Sequence, residues 1–116
     1  MAEKILISVA PVSAADHDIN PKKIAQDVIA CAEAGAAMVH LHVRDKKGNL
    51  TSDLSVLKET VERIREQSDI VIQASTGGVS NLTIEERCAP LYYDKIEACS
   101  LNVGSTNLGD LSLIHI

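Results

Sequence analysis

Residues 37–43 read Ala-Met-Val-His-Leu-His-Val and form one of four apolar, β-branched runs that decide the fold. The other runs are residues 4–10 (KILISVA), 69–74 (DIVIQA) and 98–103 (ACSLNV). Their starts at residues 4, 37, 69 and 98 give a repeat of about 30 residues. Because each run is almost continuously apolar, we predict four parallel strands that are buried on both faces.

Helical patterns lie between these predicted strands. The first predicted helix has Asn20 as its N-cap, followed by a proline, and ends at Gly35. The second is predicted to start at residues 52–53, with apolar and charged residues on opposite faces. The third starts at Thr83, which forms a capping box with the glutamate three positions later, and is short because Pro90 follows.

This alternation predicts an α/β fold with a parallel sheet. An open doubly wound sheet and a closed (β/α)8 barrel both begin in this way. Neither GxGxxG nor GxxxxGK[ST] follows the first predicted strand, which disfavours a nucleotide-binding open sheet.

Composition excludes several classes of function. The 116 residues carry a net charge of -5, with 16 acidic and 11 basic side chains and no basic cluster, which argues against nucleic acid as a partner. No apolar run reaches the roughly 18 residues of a membrane helix, and the N-terminus lacks a secretory pattern. Three widely spaced cysteines without a CxxC motif predict reduced thiols in the cytoplasm.

The second predicted strand carries polar side chains on one face. His40, His42 and Arg44 alternate with apolar residues, and side chains two apart on a strand face are roughly 7 Å apart at their bases. An apolar core would not tolerate this face, whereas two imidazoles could bind one divalent ion. From the spacing alone, a zinc site and two hydrogen-bonded histidines near a strand end both remain open. His17, in a long polar loop, is expected to be solvated.

The next two predicted strands also end in polar residues. Ser75 to Gly78 (STGG) could offer backbone N–H groups to an anion or could simply form a tight turn. Ser100 and Asn102 share one face of the fourth predicted strand. Since the carboxyl ends of parallel strands meet at one edge of the sheet, one pocket could collect these groups.

Four motifs together resemble the β-keto acid cleavage enzymes, the family of the 3-keto-5-aminohexanoate cleavage enzyme. They are residues 34–45 (AGAAMVHLHVRD) with their core HLHVRD, residues 73–78 (QASTGG) and residues 100–109 (SLNVGSTNLG). The resemblance covers about residues 4–109 in order. It implies a zinc-containing (β/α)8 TIM barrel, of which this chain supplies the N-terminal half with four parallel strands. It also implies an acyltransferase that converts a β-keto acid and acetyl-CoA into acetoacetate and a new CoA thioester.

The resemblance also implies roles for individual residues. His40 and His42 match the two histidine ligands of zinc. The positions that match substrate-binding residues are Ser75, Gly78, Ser100 and Asn102. The implied chemistry is Lewis-acid stabilisation of an enolate, attack on acetyl-CoA and a retro-Claisen cleavage. A family glutamate that binds a substrate amino group aligns near Ala15, which suggests a keto acid without that group.

Other expected parts of the family's active site are missing from the sequence. The third zinc ligand, a carboxylate, and the general base belong to the second half of the barrel, so no catalytic base is assigned here. We therefore expect residues 1–110 to be half of a barrel domain and residues 111–116 to be a non-native tail. The expected full-length enzyme is a cytoplasmic homo-oligomer of amino acid degradation. The 116-residue chain is expected to lack turnover, and the alternative is a metal-binding or assembly fragment without activity of its own.

Overall fold

A four-stranded parallel sheet forms the centre of the fold. The computed structural model describes residues 2–13, 15–77, 81–101, 105–108 and 112–115. The strands are β1 (Ser8–Val9), β2 (Met38–Leu41), β3 (Val71–Ala74) and β4 (Ala98–Cys99). They are all parallel and lie in the order β1-β2-β3-β4. The predicted α/β fold with four parallel strands is confirmed, and sequential order is consistent with the N-terminal half of a (β/α)8 barrel.

Helices connect the successive strands. They are α1 (Pro21–Glu33), α2 (Ser55–Arg65) and α3 (Ile84–Arg87), the last followed by a 3₁₀ helix (Ala89–Tyr92). Residues of α1 and α2 pack against the same side of the sheet. None of the helices in the described part of the chain is long and apolar enough to cross a membrane.

The predicted ends of two helices are confirmed. Asn20 Oδ1 accepts hydrogen bonds from the first-turn N–H groups of Lys22 and Lys23 at 3.0 and 3.2 Å. Gly35 follows α1 with a φ of +109°, the left-handed conformation in which glycine avoids a steric penalty. Thr83 and Glu86 form the predicted capping box of α3.

The predicted start of α2 is wrong by two residues. Asp53 Oδ1 accepts a hydrogen bond from Ser55 N at 2.8 Å, and Thr51 Oγ1 accepts one from Asp53 N at 3.1 Å. These side chains therefore form turns ahead of the helix, which is the usual competition between short polar side chains and helical hydrogen bonds. The helix begins at Ser55, and its N-cap position carries no side-chain hydrogen bond.

Only one face of the sheet is buried among the described residues. Val39 and Leu41 of β2, with Ile72 and Ala74 of β3, pack into a core that includes residues of both long helices. The alternate residues of both strands are only partly buried. Burial on both faces, as predicted from the apolar composition, is therefore wrong in this part of the chain, because α1 and α2 cover the same side.

The strands are also shorter than predicted at the edges of the sheet. The predicted strand at residues 4–10 is reduced to Ser8–Val9, and Ile5 is 86% exposed. An edge strand has one hydrogen-bonding partner, so its ends are held by fewer bonds than those of a central strand. Of the predicted strand at residues 98–103, Ala98–Cys99 is observed, and residues 102 and 103 lie outside the described part.

A separate antiparallel hairpin lies beyond the parallel sheet and was not predicted. Its strands are β5 (Ser105–Leu108) and β6 (Ser112–His115), with Ser105 opposite His115. Most of the predicted tail at residues 111–116 belongs to β6; its non-native origin stays a prediction.

Candidate functional site at the carboxyl ends of the strands

Strand β2 places its two histidines side by side on the open face of the sheet. Their ring centroids are 5.0 Å apart, and the rings meet edge to face at 82°. Both imidazoles are half-buried, whereas the alternating residues Val39, Leu41 and Val43 are buried on the helix side. The predicted alternation is confirmed for the two imidazoles and the three apolar residues, whereas Arg44, predicted to share the imidazole face, is buried.

A glutamine that the sequence analysis missed contacts the first histidine. Gln73 of β3 lies opposite His40 in the parallel register, and the distance from His40 Nδ1 to Gln73 Oε1 is 2.7 Å. The sequence held a signal for it, because Gln73 is the polar exception inside the apolar run DIVIQA. Its alignment with His40 depends on the register of two strands, which the sequence alone did not show.

The surroundings of the second histidine favour its neutral form. Partial burial is the main cause that lowers the pKa of His42, and the positive charges of His40 and Arg44 lower it further. A neutral imidazole keeps a nitrogen lone pair, which is the form that binds a metal ion.

Arg44 follows the two histidines but contacts a different loop. Its side chain is 7% exposed, and Nη1 donates a hydrogen bond to the main-chain oxygen of Ser13 at 3.1 Å. Its Nε has no hydrogen-bond partner in the described part of the chain. Arg44 thus ties the loop after β1 to the end of β2, and it acts on the site through the charge it places near His42.

The ends of β3 and β4 are joined by a pair of hydrogen bonds. Thr76 Oγ1 donates to the main-chain oxygen of Ser100 at 2.6 Å, and Thr76 N donates to Ser100 Oγ at 3.3 Å. Ser75 N donates to the main-chain oxygen of Leu41 at 2.8 Å, which fixes the end of β3 against β2. The ends of these three strands therefore lie together at one edge of the sheet, and a single pocket that collects their polar groups stays a prediction. Gly78 and Asn102 lie outside the described residues.

A small cavity connects His42 with the end of β3. It has a volume of about 20 Å³, and its lining includes Ser75, Thr76, Gly77 and Arg87. A space of this size holds about one water molecule. This cavity is therefore too small to hold a substrate molecule.

Comparison with known proteins identifies the family. The family model for the beta-keto acid cleavage enzyme matches residues 4–114. The chain belongs to this family. It is therefore a member of an enzyme family, and the resemblance inferred from the sequence motifs is confirmed.

Three relatives illustrate what the chain is similar to. A 3,5-dioxohexanoate:acetyl-CoA acetone transferase from Paraburkholderia graminis is 37% identical over 91% of this chain and 37% of its own length. A 3-keto-5-aminohexanoate cleavage enzyme from Fusobacterium nucleatum is 35% identical over 94% of this chain and 43% of its own length. A 3-keto-5-aminohexanoate cleavage enzyme from Acetoanaerobium sticklandii is 36% identical over 92% of this chain and 42% of its own length. The chain thus spans about two fifths of the length of the curated relatives it matches.

The donor set of this beta-keto acid cleavage family member fits a zinc ion in part. Two imidazoles lie close enough to share one ion, since Zn–N bonds are about 2.0–2.1 Å long. In the described part of the chain, no group of three or more His, Cys, Asp or Glu side chains could hold a metal. His17, expected to be solvated, is exposed in the loop before α1. The described residues therefore offer two protein ligands.

Arg87 is a second residue that the sequence analysis missed. It ends α3 and lines the small cavity beside His42, and its Nε is buried without a hydrogen-bond partner among the described residues. The sequence pattern marked only the start of this helix at Thr83, so no signal distinguished Arg87 from the neighbouring charges.

A much larger cavity among the described residues lies at the other end of the sheet. Its volume is about 1030 Å³. Its lining includes Asp69 and Glu97, which come just before β3 and β4 in the chain. Arg65 donates to Glu97 and to the main-chain oxygens of Ser68 and Ile70, so its guanidinium is already paired. Because active sites of (β/α)-type folds lie at the carboxyl ends of the strands, the site with the histidines is the functional candidate despite its smaller cavity.

Proposed function

We propose that this chain forms part of an enzyme that cleaves a β-keto acid with acetyl-CoA, yielding acetoacetate and a new CoA thioester. One observation carries the proposal: in a chain of the beta-keto acid cleavage enzyme family, His40 and His42 lie side by side, and His42 shares a small cavity with Ser75 at the carboxyl ends of adjacent strands. The names of two relatives describe cleavage of 3-keto-5-aminohexanoate, and a third relative is named as a 3,5-dioxohexanoate:acetyl-CoA acetone transferase.

Zn²⁺ is the proposed cofactor, with His40 and His42 as its ligands in this chain. When bound, the metal would act as a Lewis acid that polarises the carbonyl oxygens of the keto acid and increases the acidity of the carbon between them. The low pKa of His42 supports this proposal, because less proton competition is then expected for that ligand near neutral pH.

Hydroxyl and backbone groups at the ends of β3 and β4 are proposed to hold the substrate carboxylate. Ser100 Oγ accepts a hydrogen bond from Thr76 N, so its own proton is left to donate. Ser75 shares a cavity wall with His42 and can act beside the metal. The proposed substrate-binding set is Ser75, Gly78, Ser100 and Asn102.

The proposed substrate lacks a positive charge at the end remote from the carboxylate. Ala15, near which the family glutamate aligns, has no charged group to pair with an amino group, and its N–H is bonded to Ser13 Oγ at 3.0 Å. A neutral β-keto acid chain is therefore favoured. The third metal ligand and the general base are proposed to lie outside these 116 residues.

The proposal also concerns the cellular location and the oligomeric state of the enzyme. We expect a cytoplasmic protein, in keeping with free cysteines at positions 31, 88 and 99. A homo-oligomer is proposed for a polypeptide of the relatives' length.

A second candidate function is a metal-binding or assembly chain without turnover. This candidate is favoured because the described residues cluster only two imidazole ligands. Two histidines and water form a weak, open site. This candidate predicts zinc binding without acetoacetate formation, whereas the first requires both in the longer enzyme.

The test compares His40→Ala with His17→Ala, a change at an exposed histidine. Zinc affinity is measured on this chain by competition with a chromophoric chelator, and turnover is measured as acetoacetate formed from acetyl-CoA and a β-keto acid by the full-length enzyme that contains the segment. We expect His40→Ala to lose both zinc and turnover and His17→Ala to keep both. Full zinc binding and activity in His40→Ala would contradict the assignment.

A further inference from the structure

His40, a proposed metal ligand on β2, contacts Gln73 on the neighbouring strand β3. Strand β3 carries no proposed metal ligand. His40 Nδ1 and Gln73 Oε1 are 2.7 Å apart, which is a short hydrogen bond for a nitrogen donor and an oxygen acceptor. Both side chains are partly buried on the open face of the sheet. Neither the family match nor the relatives' names assign a role to Gln73.

The register of the two strands brings these side chains together. β2 and β3 pair in parallel with His40 opposite Gln73, so both side chains leave the sheet on the same face. On the other face, Val39 and Ile72 are fully buried in the core beneath the pair. A shift of either strand would expose these core residues, so the packing holds Gln73 in line with His40.

We propose that Gln73 is a positioning residue that sets the tautomer and orientation of His40 for metal binding, an inference that rests on the proposed zinc site. An amide oxygen can only accept a hydrogen bond, so His40 Nδ1 must be the donor. The proton of the neutral ring is then on Nδ1, and the lone pair is on Nε2. The metal-binding nitrogen of His40 is therefore Nε2, and the ring cannot turn without losing the bond to Gln73.

This arrangement accounts for a polar residue in a run that is otherwise apolar. Metal-binding histidines usually donate their second ring N–H to a carbonyl or carboxylate, and loss of that partner typically weakens metal affinity by about 10–100-fold. Gln73 supplies such an acceptor to His40. The second imidazole, His42, shows no equivalent contact among the described side chains that line its cavity.

The first measurement uses the metal-free chain and needs no variant. The measurement is made in mildly alkaline solution, where an ordinary imidazole is neutral, and ¹⁵N chemical shifts distinguish the two tautomers of His40. We expect the Nδ1–H tautomer in the wild-type chain. A predominant Nε2–H tautomer would overturn the proposal, because it would mean that the amide group of Gln73 donates to Nδ1.

The second measurement compares two substitutions of nearly the same size. Gln73→Met removes the acceptor, and we expect it to shift His40 toward the Nε2–H tautomer and to weaken Zn²⁺ binding by about 10–100-fold. Gln73→Glu keeps an acceptor at the same place, and we expect it to keep the Nδ1–H tautomer and at least the wild-type affinity. Gln67→Met, at an exposed position after α2, is the matched control and should change neither property.

The two readouts separate the positioning role from the metal site itself. An unchanged tautomer and unchanged zinc affinity in Gln73→Met, with the circular dichroism of the wild type, would refute the positioning role. If the full-length enzyme that contains the segment binds no zinc although Gln73→Met shifts the tautomer, the hydrogen-bond assignment stands and the proposed metal site fails. A purely structural role would lower stability in Gln73→Glu as well as in Gln73→Met and would leave the tautomer unchanged, which would also refute the proposal.

Discussion

Replacing Thr76 by valine should loosen the junction between the ends of β3 and β4. Thr76 Oγ1 donates to the main-chain oxygen of Ser100 at 2.6 Å, and valine keeps the shape of threonine while replacing the hydroxyl with a methyl group. The second bond, from Thr76 N to Ser100 Oγ at 3.3 Å, does not depend on the side chain of residue 76. The substitution therefore removes one hydrogen bond and adds no cavity.

The expected loss of stability follows from the burial of the two partners. A typical intramolecular hydrogen bond contributes about 0.5–1.5 kcal/mol, and a fully buried acceptor left without a partner adds about 1–3 kcal/mol. Thr76 and Ser100 are only partly buried, so water can reach the freed oxygen and the second contribution is reduced. We therefore expect Thr76→Val to lower the free energy of unfolding by about 1–2 kcal/mol.

The measurement is urea unfolding followed by circular dichroism, with Thr76→Ser as the matched control. Serine keeps the hydroxyl and loses one half-buried methyl group, so its cost should stay below about 0.8 kcal/mol. Ser100→Ala should remove only the longer bond and cost less than Thr76→Val. The reasoning is refuted if Thr76→Val unfolds at the wild-type urea concentration while Thr76→Ser is destabilised, since the methyl group rather than the hydroxyl would then matter.

Two further predictions concern other parts of the chain. Burial and the hydrogen bond to Glu62 raise the pKa of Tyr93 to about 12. Because tyrosine in an unfolded chain has a pKa of about 10, the associated stability is present below that pH and is lost as the pH rises through the folded-state pKa. Phenolate absorbance, with the other tyrosine changed to phenylalanine, should show this high midpoint and its decrease in Glu62→Gln; an ordinary midpoint would contradict it. Gly48→Ala should lower the melting temperature, with a cost of about 1–3 kcal/mol, because φ is +86° and the new Cβ would lie 2.3 Å from the main-chain oxygen of Asp16. Gly35→Ala, at φ +109° with no atom within 4 Å of the new Cβ, should cost less, and equal melting temperatures would contradict the steric argument.

Features set by local geometry were predictable from the sequence. The alternation of a strand places every second side chain on one face, so His40 and His42 were correctly assigned to the face opposite Leu41. The helix caps at Asn20 and Thr83 were equally predictable, because each depends on hydrogen bonds within one turn. In each case the decisive interaction joins residues that are at most three positions apart.

Features that depend on several elements at once were not predictable in this way. The extent of the first strand depends on how many partners the edge of the sheet has, and in the described sheet the strand pairing of β1 with β2 covers Ser8 and Val9. Gln73 meets His40 only because two strands pair in one particular register. Arg87 reaches the cavity beside His42 from a short helix whose direction no local pattern defined.

The alternating faces of β2 make the site unusually sensitive to the length of this strand. The same short segment supplies the core with Val39 and Leu41 and the open face with both imidazoles. A single inserted or deleted residue within Met38–Leu41 would exchange the two faces for the part of the strand beyond it, exposing apolar side chains and burying imidazoles. An insertion in the exposed turn at residues 46–47 would leave the alternation intact. Insertions and deletions among members of this family should therefore be tolerated in that turn and selected against in β2.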